Sequence, residues 1–348
     1  MTHAPNLRRR LCLAALTAGV AAPIAGYAQA APVKLRYQLD WRYEAGVCAH
    51  VLALRKGYFA QEGLEVTLNV GNGAANTVTR IASGVADMGT GDMSSLAEFA
   101  GNNGQVAAQA VMLLYEQTPA AVFSLKKTGI RRPADLRGRQ IAAPVNDGAR
   151  RVFPLFAATN GLDVEKDVRW MSVEPALRET LLVRGQVEAI TGYMASGLIS
   201  LQKLGVDPAD IEVMRYADFG VDLYGNAIMA SPAFMKEQPK AVAGFLRALM
   251  RAFREVAADR PAAVAVLKQQ DPLLDVGIEA RRLDIILNQE IGVPATRRDG
   301  VGNIDVARYQ KGIDALARAL AFKSVPAAPS LINAGFLPSA AERRIFAA

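Results

Sequence analysis

From Val33 onward the chain alternates short β-forming runs with longer helical ones, and it does so in two successive sets. The first set reads as strand 33–39, helix 47–59, strand 64–70, helix 77–83, strand 86–89, helix 94–102 and strand 106–114. Strand 121–126 follows, and then Arg132-Pro133-Ala134-Asp135-Leu136-Arg137-Gly138, a polar, proline-marked stretch that reads as a crossing between lobes. The second set is strand 140–145, helix 148–160, strand 168–173, helix 176–184 and strands 189–192 and 211–216. Strand 227–230 comes next, and the remainder is helical. Within 240–258, Val242, Phe245, Leu246, Leu249, Phe253 and Val256 form one apolar stripe. Such alternation predicts parallel sheets covered by helices on both faces. The expectation is an α/β protein of two lobes, one from about 33–125 plus 225–345 and the other from 128–222. Two crossings between them would make a hinge. Ligands of open α/β sheets sit outside the carboxyl ends of the strands, so a cleft between the lobes is the expected site.

Residues 1–30 stand apart from this pattern. Arg8, Arg9 and Arg10 precede an apolar stretch from Leu11 to about Ala25, and Ala28-Gln29-Ala30 follows. That order predicts a secretory signal peptide cut before Ala31, and hence a periplasmic location. A spanning helix needs ~20 apolar residues, and this stretch is shorter and broken by Pro23 and Gly26. The Arg8-Arg9-Arg10-Leu11 run matches a twin-arginine signal only weakly. With the three leader arginines set aside, the formal charge of +7 falls to +4. No basic run interleaved with aromatics occurs, so nucleic acid is not an expected partner.

Beyond residue 30 the chain has one cysteine, Cys48, and one histidine, His50. One of each cannot form an intrachain disulfide or a Cys₂His₂ metal site. Two residues apart in a helical pattern, they do not share a face, and both read as helix-packing residues. No Gly-x-Ser-x-Gly sequence supplies a nucleophile for a triad that would have to use His50. No catalytic residue, metal or cofactor is therefore expected.

The loops after the strands carry the candidate site. They contain Trp41 and Glu44, Asn72, Asp92, and Tyr115 with Glu116 in the first lobe. In the second they contain Asn146 and Asp147, Glu174, Tyr193, Asp218 and Tyr224. Aromatics in these loops offer faces for a flat ring, and an acid or amide beside nearly every one accepts hydrogen bonds from ring amines. That combination suits an amino-bearing heterocycle. Asp92 and Asp147 also stand where a helix cap is needed. Gly71-Asn72-Gly73 lacks the third glycine of a dinucleotide fingerprint and reads as a loop allowing close backbone approach.

Leu39-Asp40-Trp41 and the run Lys56-Gly57-Tyr58-Phe59-Ala60-Gln61-Glu62-Gly63-Leu64-Glu65-Val66 resemble the thiamine-pyrimidine-synthase-like and sulfonate/taurine-type periplasmic solute-binding proteins. The likeness continues through Gly84-Val85-Ala86-Asp87-Met88-Gly89, Asp135-Leu136-Arg137-Gly138, Gly192-Tyr193, Tyr224-Gly225-Asn226 and Pro239-Lys240-Ala241-Val242. The resemblance implies a type II-like periplasmic-binding-protein fold. It also implies a monomer that hands a small molecule to an ABC permease in the inner membrane. Leu-Asp-Trp resembles the pyrimidine-precursor branch, whose tryptophan position, here Trp41, stacks on the ligand. Tyr193 and the Tyr224 region match positions near that branch's cleft. Many members of the branch follow the tryptophan with Thr-Pro-Asn and a histidine a few residues on, where this chain has Arg42-Tyr43-Glu44 and Val47. The eukaryotic synthases of the family consume a histidine and carry a cysteine-rich iron motif, which this chain lacks. The expected ligand is a small amino heterocycle. The alternatives are a sulfonate- or nitrate-type anion, a flavin-like vitamin, a periplasmic enzyme and a sensor-linked ligand reader. An oxyanion calls for arginines without neighbouring carboxylates, whereas Arg42 and Arg150 have Glu44 and Asp147 beside them.

Overall fold

The computed structural model describes residues 31–346. The signal-peptide reading falls on residues 1–30 and lies outside that range. Ten strands form: β1 (Val33–Gln38), β2 (Leu64–Asn69), β3 (Met88–Asp92), β4 (Gln109–Leu113), β5 (Ala120–Leu125), β6 (Arg139–Ala143), β7 (Val168–Ser172), β8 (Ala189–Tyr193), β9 (Ile211–Arg215) and β10 (Asn226–Ala230). They build two sheets of five, ordered β2-β1-β3-β10-β4 and β7-β6-β8-β5-β9. Position in the sheet explains the residues each strand uses. At an edge, β2 buries Leu64 and Val66 and exposes Glu65 and Thr67, while interior β5 is buried at every residue and does not alternate.

The sheets are mixed, not purely parallel as the alternation implied. β10 runs antiparallel to β3 and β4, and β5 runs antiparallel to β8 and β9. The cause is topological. These are the two strands that enter a sheet from the opposite lobe, so they start at the cleft end, where their neighbours finish.

β5 belongs to the second sheet, which corrects the assignment of 120–125 to the first lobe. The chain crosses at 114–119 and returns at 216–225. The stretch 132–138 is instead a surface turn of the second lobe, in which the Asp135 carboxylate accepts the backbone N–H groups of Arg131 and Arg132. Proline and charge mark both kinds of segment, and local sequence does not separate them.

The two crossings lie against each other. Thr118 N–H donates to Leu223 O at 2.8 Å, and Gly225 N–H to Tyr115 O at 3.0 Å. The helix Val306–Ala319 backs them, with Arg308 bonded to Asp222 at 2.8 Å and to Glu116 at 3.4 Å.

In the first lobe, the stripe of Pro239–Ala258 is buried as its spacing predicts. Its Phe245 stacks between Tyr37 and Phe59, with ring centroids 4.7 and 4.8 Å away. The second lobe is centred on Phe153, Phe156 and Tyr216.

Candidate ligand-binding site

The carboxyl ends of β1, β3, β4, β6 and β8 point at one another across the gap between the sheets. They enclose a cavity of about 730 Å³, mouth included. Five of the sequence-predicted residues line it: Trp41 and Glu44 after β1, Tyr115 after β4, Asp147 after β6, and Tyr193 at the end of β8. Each follows a strand closely, which is why its side chain reaches the cleft.

Asp92 sits directly behind them. Its Oδ1 accepts Ser95 N–H at 2.9 Å as a helix cap, and its Oδ2 accepts the Tyr193 hydroxyl at 3.4 Å. Asn146 stands at the lobe junction, its backbone pressed against Gly73 of the first lobe.

The other five do not reach the cavity. Asn72 is exposed and bonded to Asn76, and Glu174 is exposed. Asp218 is exposed beside Arg215. Glu116 is held by Arg308. Tyr224 turns into the first-lobe core under Arg308, and its hydroxyl accepts Asp305 N–H at 2.9 Å. Glu116 and Tyr224 lie in the crossing segments, where fastening the hinge to the last long helix takes precedence over facing the cleft.

Three kinds of residue escape sequence reasoning. Asp40 precedes Trp41, and its carboxylate accepts Asn226 Nδ2–H at 2.7 Å, while Asn226 Oδ1 accepts the Tyr193 hydroxyl at 2.9 Å. This chain ties the lobes together. Arg178 and Glu290 come from helical segments with no local signal. Glu290 lies in a π-helical turn, Ile286–Ile291, that continues Val276–Ile285. Such turns recur at functional sites, and here Ile286 and Glu290 both reach the cavity. Glu290 Oε1 accepts Ala195 N–H of the other lobe at 3.1 Å.

His50 is the third case: it packs as expected, against Tyr37, Phe245 and Phe253, and it also borders the cavity. It lines the cavity while only 1% exposed. Its Nε2 is 3.1 Å from the Tyr37 hydroxyl, itself 2.7 Å from Thr90 Oγ1, and its Nδ1 has no hydrogen-bond partner. Cys48 is the packing residue expected, with Sγ–H on Ala263 O at 3.2 Å.

The charges of the site are largely consumed in pairs. Arg178 bonds Asp147 at 3.1 Å and Glu179 at 2.6 Å. Glu44 takes Arg42 at 2.9 Å, Arg282 at 3.3 Å and the Ser196 hydroxyl at 2.7 Å. Arg42 and Arg178 each stand 5.5 Å from the centroid of the Trp41 ring. Burial pushes the carboxyl pKa of Asp40 up to about 6 and those of Asp92 and Glu290 up to about 7. It pushes His50 down to about 3 and the Cys48 thiol up to about 12.

Comparison with known proteins places this geometry. A family model described as NMT1/THI5 like matches residues 45–263. The chain is 28% identical to the riboflavin-binding protein RibY of Chloroflexus aurantiacus, over 75% of this chain and 74% of that one. It is 24% identical to a 4-amino-5-hydroxymethyl-2-methylpyrimidine phosphate synthase of Aspergillus parasiticus, over 71% and 74% of the two chains. Among solved structures, the alkanesulfonate-binding protein SsuA of Xanthomonas axonopodis pv. citri, bound to MOPS, superposes with a TM-score of 0.68 at 17% identity. That match covers 86% of this chain and 98% of that one. The likeness shows the fold, that of periplasmic binding proteins.

Proposed function

The chain belongs to the NMT1/THI5-like family, and from that premise we propose that it is the solute-binding component of an ABC importer, taking a small amino heterocycle between its lobes. The reading has it exported to the periplasm and acting as a monomer beside a membrane permease.

One observation carries the choice of ligand. The cavity offers an aromatic ring, Trp41, flanked by Arg42 and Arg178, together with two carboxylates, Asp40 and Glu290, that enter no salt bridge among the described residues. Ring amines would satisfy such acceptors. A sulfonate or nitrate would meet arginines already bonded to Glu44 and Asp147, and would pay repulsion from the two carboxylates. A flavin-like ring is the second reading, favoured by the match to RibY.

Binding without catalysis also fits the groups present. A buried thiol held near 12 is not a thiolate nucleophile at neutral pH. A histidine held near 3 is a weak general base there.

Mass spectrometry of the small molecule that co-purifies under native conditions tests the reading directly. An amino heterocycle is the expected result, and a sulfonate in its place would reject it. With that molecule in hand, Trp41→Ala should weaken binding roughly tenfold or more. Stacking contributes ~0.5–1.5 kcal/mol beyond the lost apolar contact, and ~1.4 kcal/mol is a factor of ten. Measured in a Trp170→Phe background, ligand should perturb the emission of Trp41. A folded Trp41→Ala variant of unchanged affinity would remove the stacking platform from the account.

A further inference from the structure

The cavity holds more acid than its own bases neutralise. Of its carboxylates, Glu44 is answered by Arg42 and Arg282, and Asp147 by Arg178. Asp40 and Glu290 meet only neutral donors, the Asn226 amide at 2.7 Å and the Ala195 N–H at 3.1 Å. Arg215 acts on Glu290 from a distance, with its guanidinium bonded to Gln117 at 3.1 Å. Buried charges are ordinarily paired, and here the two arginines that line the cavity, Arg42 and Arg178, are bonded to Glu44 and Asp147, which leaves Asp40 and Glu290 with no cation of their own among the described residues.

A second, independent observation points to a bound molecule. His50, almost wholly buried, lines the same cavity with a ring nitrogen that no protein group engages. A metal ion is a poor occupant, since no group of three or more His, Cys, Asp or Glu side chains suited to a metal occurs among the described residues.

We propose that the site selects its solute as an organic cation: a flat, protonated nitrogen compound whose N–C–N edge lies toward Asp40 and Glu290 and whose face lies on Trp41. Two parallel N–H donors on such an edge match a carboxylate in the bidentate manner of a guanidinium. The inference rests on the solute-binding reading and narrows it from amino heterocycles in general to those carried in the charged form.

Three planar probes of nearly one shape separate charge from fit: benzamidine, a cation, benzamide, neutral, and benzoate, an anion. In titration calorimetry of the whole protein at neutral pH, benzamidine should bind at least tenfold more tightly than benzamide, and benzoate not detectably. The Asp40→Asn/Glu290→Gln double variant, checked for an intact melting transition, should bring benzamidine and benzamide to near equality.

Benzamidine affinity should also rise from pH 5 to pH 8. Over that range the two carboxylates, faced by Glu44, Tyr37, Tyr115, Tyr193 and Asn226 at Asp40 and by Asp40, Tyr115, the Ala195 amide and Arg215 at Glu290, lose their protons. Benzamide or benzoate binding as well as benzamidine overturns the inference, as does the absence of benzamidine binding. The solute-binding reading is judged separately. A neutral or anionic molecule found in the native protein leaves that reading standing and removes the cation.

Discussion

Replacing Arg178 by alanine is expected to destabilise the protein by about 3–5 kcal/mol, the usual cost of breaking a buried ion pair from one side. Arg178 is 1% exposed and bonds both Asp147 and Glu179, which are themselves buried. Burial works against its charge, but the two adjoining carboxylates outweigh burial and raise its pKa. The side chain lies over Gly192 of β8, where an added Cβ would stand 2.5 Å from Arg178 Nη1. The alanine variant would leave two buried carboxylates without the guanidinium that now pairs them. For a protein of this size the melting temperature should fall by roughly 10 °C. Combining Arg178→Met with Asp147→Asn and Glu179→Gln should recover much of the loss, because no buried charge is then left alone. An alanine variant melting within about 2 °C of the parent would show that the network contributes little.

Gly73→Ala should act on closure rather than on folding. Gly73 lies in the first lobe before the helix Ala74–Ala82, with φ at 149°. A Cβ there would stand 2.0 Å from the carbonyl oxygen of Asn146, in the second lobe. No alanine fits at that separation, and the obstacle is backbone that cannot rotate away. Each lobe keeps its own core, but the two can no longer meet as they do around the cavity. A ligand binding both lobes favours the closed state by its differential affinity for it, and blocking that state removes the gain. With strain of roughly 1–3 kcal/mol, affinity should fall by about fivefold to somewhat over a hundredfold. Small-angle scattering should no longer register compaction on ligand addition. Undiminished affinity and compaction in the variant would mean that the lobes do not close on this contact.

The pH dependence of the ligand-free protein follows from the same burial. Asp40, Asp92 and Glu290 have folded-state pKa values raised to about 6–7, so the native state holds more protons than the unfolded chain between about pH 4.5 and 7. Stability should therefore decrease as pH rises through that window. His50 works in the opposite sense, since its depressed value makes the native state bind one proton fewer below about 6.5. Three groups outweigh one. Melting temperatures measured from pH 5 to 8 without ligand should decline, and an increase across that range would contradict the burial assigned to these carboxyls.

Trp41, Glu44, Tyr115, Asp147 and Tyr193 were legible as cleft residues because the direction of a strand is a local property. The residue that follows a strand emerges at the sheet's carboxyl end whatever the rest of the chain does. Glu116 and Tyr224 share that local setting, yet Arg308 holds them at the hinge. Arg308 lies some eighty or more residues further along the chain, so no window around either residue contains it.

The ten strand segments and the apolar stripe of 240–258 were determined by the sequence alone, because period and β-propensity act over a few neighbouring residues, whereas the order of the strands in their sheets was not. Only the tertiary structure decided which charges are paired. Glu44 meets Arg282, Asp40 meets Asn226 186 residues away, and Glu290 enters from a π-helical turn to reach Ala195. Whether a buried carboxylate has a cation beside it depends on what packing brings within 4 Å, and that is a property of the folded chain and not of any segment of it.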